Sequence, residues 1–137
     1  MQPQGNSASY WTLVPALLVL SAGCGGNDGP QRYDLSGKVT YGGEPVPGGV
    51  IVLEPDQSKG NRGPGAVIEF TDGRYDTPSG KGTVGGPHVA RIVGYTGQPA
   101  GGDASTGIRP LFSEYQVEVD LPPKDASHDF DVPAEHR

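Results

Sequence analysis

Apolar and polar residues alternate along several short stretches of this chain, and an alternation with a period of two predicts β-strands that are buried on one face. In the first stretch, 35–41, the small or apolar positions are Leu35, Gly37, Val39 and Tyr41. The next, 50–53, is a continuous β-branched and aliphatic run, typical of a strand that is covered on most sides. The Gly and Pro residues of 42–49 predict an extended connection between these two strands.

Asp72-Gly73 is the strongest local turn signal, because it separates two β-prone runs and a type I′ hairpin needs a positive φ at both central residues. A two-residue turn here places Thr71 opposite Arg74 and Phe70 opposite Tyr75. The side chains that then share the core face are Ile68, Phe70 and Tyr75.

Further strands are predicted after the hairpin, at 88–95, 116–121 and 130–132. Their inward positions are Ala90, Ile92, Val117, Val119, Phe130 and Val132. No stretch after residue 32 combines helical spacing of apolar residues with freedom from Gly and Pro. The Gly-rich segment 96–107 lacks large apolar residues and is predicted to be a long mobile loop.

The fold class that these elements predict is all-β, an antiparallel β-sandwich of about seven strands. The 23 Gly and 14 Pro residues lie mainly between the apolar runs, which favours many short strands joined by turns. The sandwich is assigned to 33–133 and a short tail to 134–137. The net charge of −6 comes with no basic patch, so a nucleic-acid partner is not expected.

Residues 1–23 have the pattern of an export leader. The apolar run Trp11–Leu20 is too short to cross a bilayer but has the length of the central region of a signal peptide. Small residues fill 21–23, and Cys24 follows them. Residues 24–32 are polar and Gly-rich, which predicts a flexible tether. Cys24 is the only cysteine of the chain, so no intramolecular disulfide can form.

The segment from Leu20 to Cys24, LSAGC, resembles the lipobox of bacterial lipoproteins. The resemblance implies cleavage between Gly23 and Cys24 and acylation of Cys24 with fatty acids such as palmitate. That lipid would be the contact with the membrane. Gly25, by analogy with the same family, implies an outer-membrane location on the periplasmic or surface face. The alternative is that Cys24 is an ordinary thiol behind an uncleaved apolar segment.

The stretch SGKVTYGGEPVPGGVIVLEP, residues 36–55, resembles the opening of the transthyretin-like, or carboxypeptidase regulatory-like, β-sandwich domain. The residues that match this family are Gly37, Val39, Thr40, Gly43, Pro45, Val46, Gly48, Val52 and Pro55. The resemblance covers 33–133 and implies the same sandwich that the strands predict. It is strongest to short bacterial lipoproteins that carry one such domain.

Candidate metal ligands are sparse. The histidines are His88, His128 and His136, and none has a second histidine at a spacing typical of zinc sites. His128 lies near Asp125, Asp129 and Asp131, which suits a surface cation site but also a solvated strand edge, and we favour the edge. No metal and no cofactor are expected.

The chain contains Ser, His, Asp and Glu residues, but they are not spaced as a catalytic proton relay requires. Asp72 is explained by its turn and lies in no calcium-loop motif. Ser113-Glu114 and Ser127-His128-Asp129 are sequence neighbours, which point to opposite faces of a strand. The terminus Pro133–Arg137 lacks the Tyr-Arg-Gly-Ser signature of hydroxyisourate hydrolases, which share the transthyretin fold. No catalytic residue is expected, and the chain is predicted not to be an enzyme.

Two classes of function follow from this pattern. The first is a non-catalytic, lipid-anchored binding module of the cell envelope, whose partner is an envelope protein or a glycan. The second is a structural or assembly subunit that pairs with other proteins through its sheet edges. A shallow groove with exposed aromatic residues would favour the first class, and a long uncharged strand edge would favour the second.

Overall fold

The computed structural model describes residues 29–97 and 108–136, and these residues form nine β-strands. The strands are β1 Leu35–Tyr41, β2 Glu44–Pro45, β3 Gly48–Pro55, β4 Ala66–Thr71, β5 Arg74–Asp76, β6 Gly86–Tyr95, β7 Tyr115–Leu121, β8 Ala126–Ser127 and β9 Phe130–Val132. The helical structure of the described residues is one 3₁₀ turn, Gln57–Lys59. The all-β prediction is therefore confirmed. The predicted leader, most of the tether and most of the 96–107 loop lie outside the described residues.

The strands form one strongly curled sheet in the order β2-β1-β5-β4-β3-β6-β7. Four of them, β4-β3-β6-β7, make a regular antiparallel ladder, which we call the large sheet. β1 pairs with β2 and β5 on one side and with β8 and β9 on the other, and we call this group the small sheet. Within the described residues, the two groups are joined by a single pair, Thr71 with Arg74.

The predicted antiparallel sandwich needs one correction in its detail. β8 and β9 run parallel to β1, and the described strands number nine where about seven were expected. The reason is the path of the chain after β7. β7 ends where β1 begins, so the returning segment runs beside β1 in the same direction.

The Asp72-Gly73 turn has the predicted geometry. Asp72 has a φ of 50° and Gly73 a φ of 66°, and Thr71 pairs with Arg74. The predicted pair of Phe70 with Tyr75 is wrong, because β5 leaves β4 after one pair and Tyr75 pairs with Gly37 of β1. A longer hairpin would have placed the carboxylates of Glu69 and Asp76 side by side, which is unfavourable.

The core lies between the large and the small sheet. Its buried hydrophobic residues are Leu35, Val39, Val46, Ile51, Leu53, Ala66, Ile68, Phe70, Tyr75, Ala90, Ile92, Phe112, Leu121, Phe130 and Val132. Of the predicted inward residues, Val117 and Val119 are partly buried and pack against this cluster, and the others are buried. Only one face of β3 is fully buried, whereas the sequence predicted a strand that is covered on most sides. Ile51 and Leu53 are buried, while Val50 and Val52 are half-buried.

The ladder between β1 and the C-terminal strands is interrupted at His128-Asp129. The amide of His128 donates to the Ser36 carbonyl oxygen at 2.8 Å. The amide of Lys38 then donates to the Asp129 carboxylate at 2.8 Å, which leaves the His128 carbonyl oxygen to accept a hydrogen bond from the Tyr75 hydroxyl. Gly37 is required here, since a Cβ on it would lie 2.0 Å from that carbonyl oxygen.

Replacing Tyr75 with Phe should lower the free energy of unfolding by about 1–3 kcal/mol, because the His128 carbonyl oxygen loses its donor in a water-poor site. Tyr41→Phe is the matched control, since its hydroxyl donates to the Ala134 carbonyl oxygen at an exposed position. The control should cost about 0.5 kcal/mol or less. Urea denaturation measures both, and equal losses would contradict the role given to Tyr75.

Replacing Gly73 with Ala should lower the free energy of unfolding by about 2–4 kcal/mol. The added Cβ would lie 2.7 Å from the Pro45 Cβ, at a φ of 66°. Gly80→Ala has a similar φ of 71° but meets no atom within 4 Å, so it should cost about 1 kcal/mol. Thermal unfolding of both variants separates the backbone effect from the steric one, and similar melting temperatures would contradict the close packing at Gly73.

Candidate functional site

The three histidines lie in different parts of the fold. His88 is 1% exposed in β6, its Nδ1 donates to the Gly86 carbonyl oxygen at 2.8 Å, and its Nε2 has no partner within the described residues. His128 packs edge-on against Phe130, with ring centroids 4.7 Å apart. His136 packs edge-on against Tyr115. No three His, Cys, Asp or Glu residues of the described ranges come together as a metal site would require.

The aspartates near His128 hold β1 in place. Asp125 accepts from the amide of Asp34 and Asp129 from the amide of Lys38, each at 2.8 Å. Asp131 accepts from the Thr40 hydroxyl at 2.8 Å. These three carboxylates are therefore spread along β1 and the residue before it and bonded to them, rather than gathered around a common point.

One Ser–His contact was not foreseen from the sequence. Ser113 Oγ lies 3.4 Å from His136 Nε2, and the same nitrogen lies 3.2 Å from the Glu114 carbonyl oxygen. A carbonyl oxygen can only accept, so Nε2 carries a proton in this contact and has no lone pair for the Ser113 hydroxyl. The pair is exposed at the surface and lacks the geometry of a nucleophile with its base.

A charged turn closes one end of the large sheet. The Asp56 carboxylate caps the 3₁₀ turn by accepting from the backbone amide of Ser58 at 2.9 Å and from the Ser58 hydroxyl. Lys59 then bridges this turn to β7 by pairing with Glu118. The hydrogen bond from the Ser58 hydroxyl is the main cause that lowers the pKa of Asp56 below its ordinary value.

The outer face of the large sheet is a mixture of valines and charges. Its valines are Val50, Val52, Val67, Val89 and Val93. Val67 is 73% exposed, and the others are half-buried by their neighbours. A shallow groove of about 600 Å³ crosses this face, and the pair of Arg91 with Glu54, at 3.3 Å, lies along it. We call this surface the valine face.

The outer face of the small sheet is polar throughout. A second groove of about 620 Å³ runs between this face and β4 of the large sheet, and it is lined by Ser36, Gly37, Lys38, Glu69, Thr71, Arg74, Tyr75, Asp76, Ser127 and Asp129. Lys38 and Arg74 are cross-strand partners with like charge. Glu69 and Asp76 stand beside them without a salt bridge in the described residues. This face binds water well and has no apolar patch, so the valine face is the better candidate for protein contact.

Gly23 and Cys24 lie outside the described residues, so the predicted cleavage and acylation stay predictions. Among the residues that the structure describes, no helix is long and apolar enough to cross a membrane. Comparison with models of protein families, with curated proteins and with solved structures found no match for this chain.

The burial of two residues, His88 and Val46, was not predicted from the sequence. His88 lies on the same strand face as Ala90 and Ile92. The period of two in the predicted strand 88–95, continued back from Ala90, would have assigned His88 to the core. The burial of Val46 between two prolines, by contrast, depends on the crossing of the connection over the core.

Replacing Ser58 with Ala should destabilise the fold near pH 7, and the loss should become smaller as pH falls below the unfolded pKa of Asp56. Folding lowers the pKa of Asp56. The stability that its carboxylate contributes is therefore fully present above the unfolded pKa of about 3.9, and it is lost as pH falls through the folded pKa. Urea denaturation across this range measures the effect, with Ser79→Ala in an exposed loop as control. A pH-independent loss would contradict a role through Asp56.

Proposed function

We propose that the chain is a lipid-anchored, non-catalytic protein of a bacterial cell envelope, and that its β-sandwich is an interaction module. The observation that carries the proposal is the short distance along the chain from the lipobox-like segment to the start of the fold. Cys24 is followed by seven residues, and the next one, Arg32, is already held by the sandwich.

The hold on Arg32 supports this arrangement. Its guanidinium donates to the carbonyl oxygens of Gly82 and Gly65, each at 2.9 Å. Tyr33 and Thr83 then exchange two backbone hydrogen bonds, at 2.7 and 2.9 Å. The residues from Cys24 to Gln31 reach about 28 Å at full extension. A lipid on Cys24 would therefore keep the domain close to the bilayer, with Arg32 on the membrane side.

Membership of the transthyretin-like, or carboxypeptidase regulatory-like, group is part of the proposal. In support, the matching residues coincide with structural requirements. Gly37 makes room for the His128 carbonyl oxygen, Val46 is fully buried, and Pro55 ends β3. The outer-membrane location, on the periplasmic or surface face, is proposed from Gly25 by analogy with lipoproteins.

The valine face supports an envelope protein as the partner ahead of a glycan. Protein interfaces bury apolar side chains and are enriched in arginine, and here valines flank Arg91 in its pair with Glu54. Sugar-binding surfaces commonly present aromatic rings for stacking, whereas the apolar side chains that line this groove are aliphatic. The second function class, an assembly subunit, is favoured by a different observation, the open edge of β4.

Replacing Cys24 with Ser should abolish membrane anchoring, because the thiol that would be acylated is lost. Wild type, expressed in a bacterium that processes lipoproteins, should partition with membranes and have the mass of 24–137 plus acyl groups. Stable anchoring needs two or more acyl chains, since each buried methylene contributes about 0.8 kcal/mol. Cys24→Ser should keep its leader or become soluble.

Ser21→Ala is the matched control for this experiment, because it keeps a small residue before the cleavage site and should behave as wild type. Intact mass spectrometry and membrane fractionation are the measurements. Equal mass and equal partition of wild type and Cys24→Ser would show that Cys24 is an ordinary thiol and that the proposed location is wrong.

A further inference from the structure

The outer edge of β4 carries backbone groups that no other described strand pairs with. The amide of Asp72 donates to the Pro47 carbonyl oxygen at 2.9 Å, which fixes the alternation of the ladder between β3 and β4. By this alternation, Ile68 and Phe70 turn their backbone groups toward β3. The N–H and C=O groups of Val67 and Glu69 therefore point away from β3, toward the open side.

β5 does not cover this edge. It pairs with β4 at Thr71 and Arg74 and then crosses to β1. The polar groove of about 620 Å³ lies beside the part of β4 that β5 leaves free. Val67, at 73% exposure, stands on this same edge. The described structure thus leaves a short, accessible strand with an exposed apolar side chain.

The other free edge of the large sheet, β7, is protected by charge. Its outward side chains include Glu118 and Asp120, and Lys59 pairs with Glu118 beside the edge. Charged side chains on an edge strand oppose pairing with another chain. The open part of β4, 66–70, has the sequence AVIEF, with one charge and no Pro, Lys or Gly. β4 is therefore the less protected of the two edges.

We infer that this chain self-associates by antiparallel pairing of β4 with β4 of a second copy. The two-fold axis passes between the two Ile68 residues, so Val67 of each copy faces Glu69 of the other. This register uses all the open N–H and C=O groups of Val67 and Glu69, in four hydrogen bonds. The pairing is confined to 67–69, because Gly65 of each copy lies opposite Thr71 of the other, whose open side is already taken by Arg74.

Other registers place like charges opposite each other or direct the open groups of β4 at groups that are already paired. Centring the pair on Glu69 places two carboxylates opposite each other and directs Val67 at Thr71, whose groups already face Arg74. Centring it on Val67 directs Glu69 at Gly65, whose carbonyl oxygen already accepts from Arg32. In the Ile68-centred register no like charges face each other, and the open N–H and C=O groups of Val67 and Glu69 all find partners, which is the reason for assigning a second copy as the partner.

The chain's own tether is a poor occupant of this edge. Residues 24–31 are rich in Gly and also contain Asn, Asp and Pro, and these residue types are depleted in strands. A two-fold pair also keeps both tethers near one bilayer. This last point rests on the proposed lipid anchor. Each Arg32 lies at the start of its β4, and the two starts are separated by about 20 Å along the paired strands, within the reach of both tethers.

Charge substitutions at Val67 test the register without disturbing the core. Full-length chains that carry Cys24→Ser are compared by sedimentation equilibrium, so that the result is independent of lipidation. Val67→Glu should weaken the dimer about tenfold, because each introduced carboxylate would face Glu69 of the other copy. Val67→Lys should strengthen it by a similar factor. The double variant V67E/E69K should restore the affinity of the parent chain, since each introduced carboxylate then faces an introduced ammonium group.

Gln116→Glu, the equivalent change on the β7 edge, is the matched control and should leave association unchanged. Disulfide trapping provides a second measurement for a weak dimer. Val67→Cys and Glu69→Cys chains with different tags should form a mixed disulfide, and Gln116→Cys with Glu118→Cys chains should not. A parent chain that stays monomeric and untrapped overturns the inference. So does a dimer that responds to Gln116→Glu, or one that the double variant fails to restore.

Discussion

The hydroxyl of Tyr75 donates to the carbonyl oxygen of His128, and this hydrogen bond joins the hairpin strand to the C-terminal strands across β1. The bond depends on two other features. Gly37 allows the carbonyl to approach, and the Asp129 carboxylate takes the Lys38 amide that would otherwise compete for it. Burial of the phenol, together with the nearby charge of Asp129, raises the pKa of Tyr75 well above its ordinary value, so it remains a donor.

The same contact explains why the hairpin opens. Tyr75 turns toward β1 and the C-terminal strands, so β5 separates from β4 one pair after the turn. The small sheet gains a closed, hydrogen-bonded centre, whereas the large sheet keeps an open edge at Val67 and Glu69. When β5 pairs with β1 instead of β4, the core is closed and the edge of β4 is left exposed. The proposed association site exists because β5 pairs with β1 instead of continuing along β4.

The two outer faces divide the surface by chemistry. The small sheet presents hydroxyls and charges, and its aspartates are bonded to β1. The large sheet presents valines around an ion pair. The proposed binding module would use the valine face, and the proposed assembly subunit would use the β4 edge.

Local chemistry in the sequence was sufficient for the strands longer than two residues, the turn and most of the core. Asp72-Gly73 forms its turn because positive φ at two adjacent residues is a local demand, and the period of two places Ile68, Ala90 and Phe130 inside. The leader and Cys24 likewise follow from local composition, as predictions that the described residues do not test.

Long-range contacts decided the rest. The parallel pairing of β8 and β9, the separation of β5 from β4 and the burial of Val46 depend on which strands meet across the core. The three aspartates near His128 were candidate cation ligands in the sequence and became partners of β1 in the fold. An alternating pattern specifies which face of a strand is buried, but it does not specify the neighbouring strand. That neighbour is chosen by residues such as Tyr75 and Gly37, whose partners lie about 40 to 90 residues away along the chain.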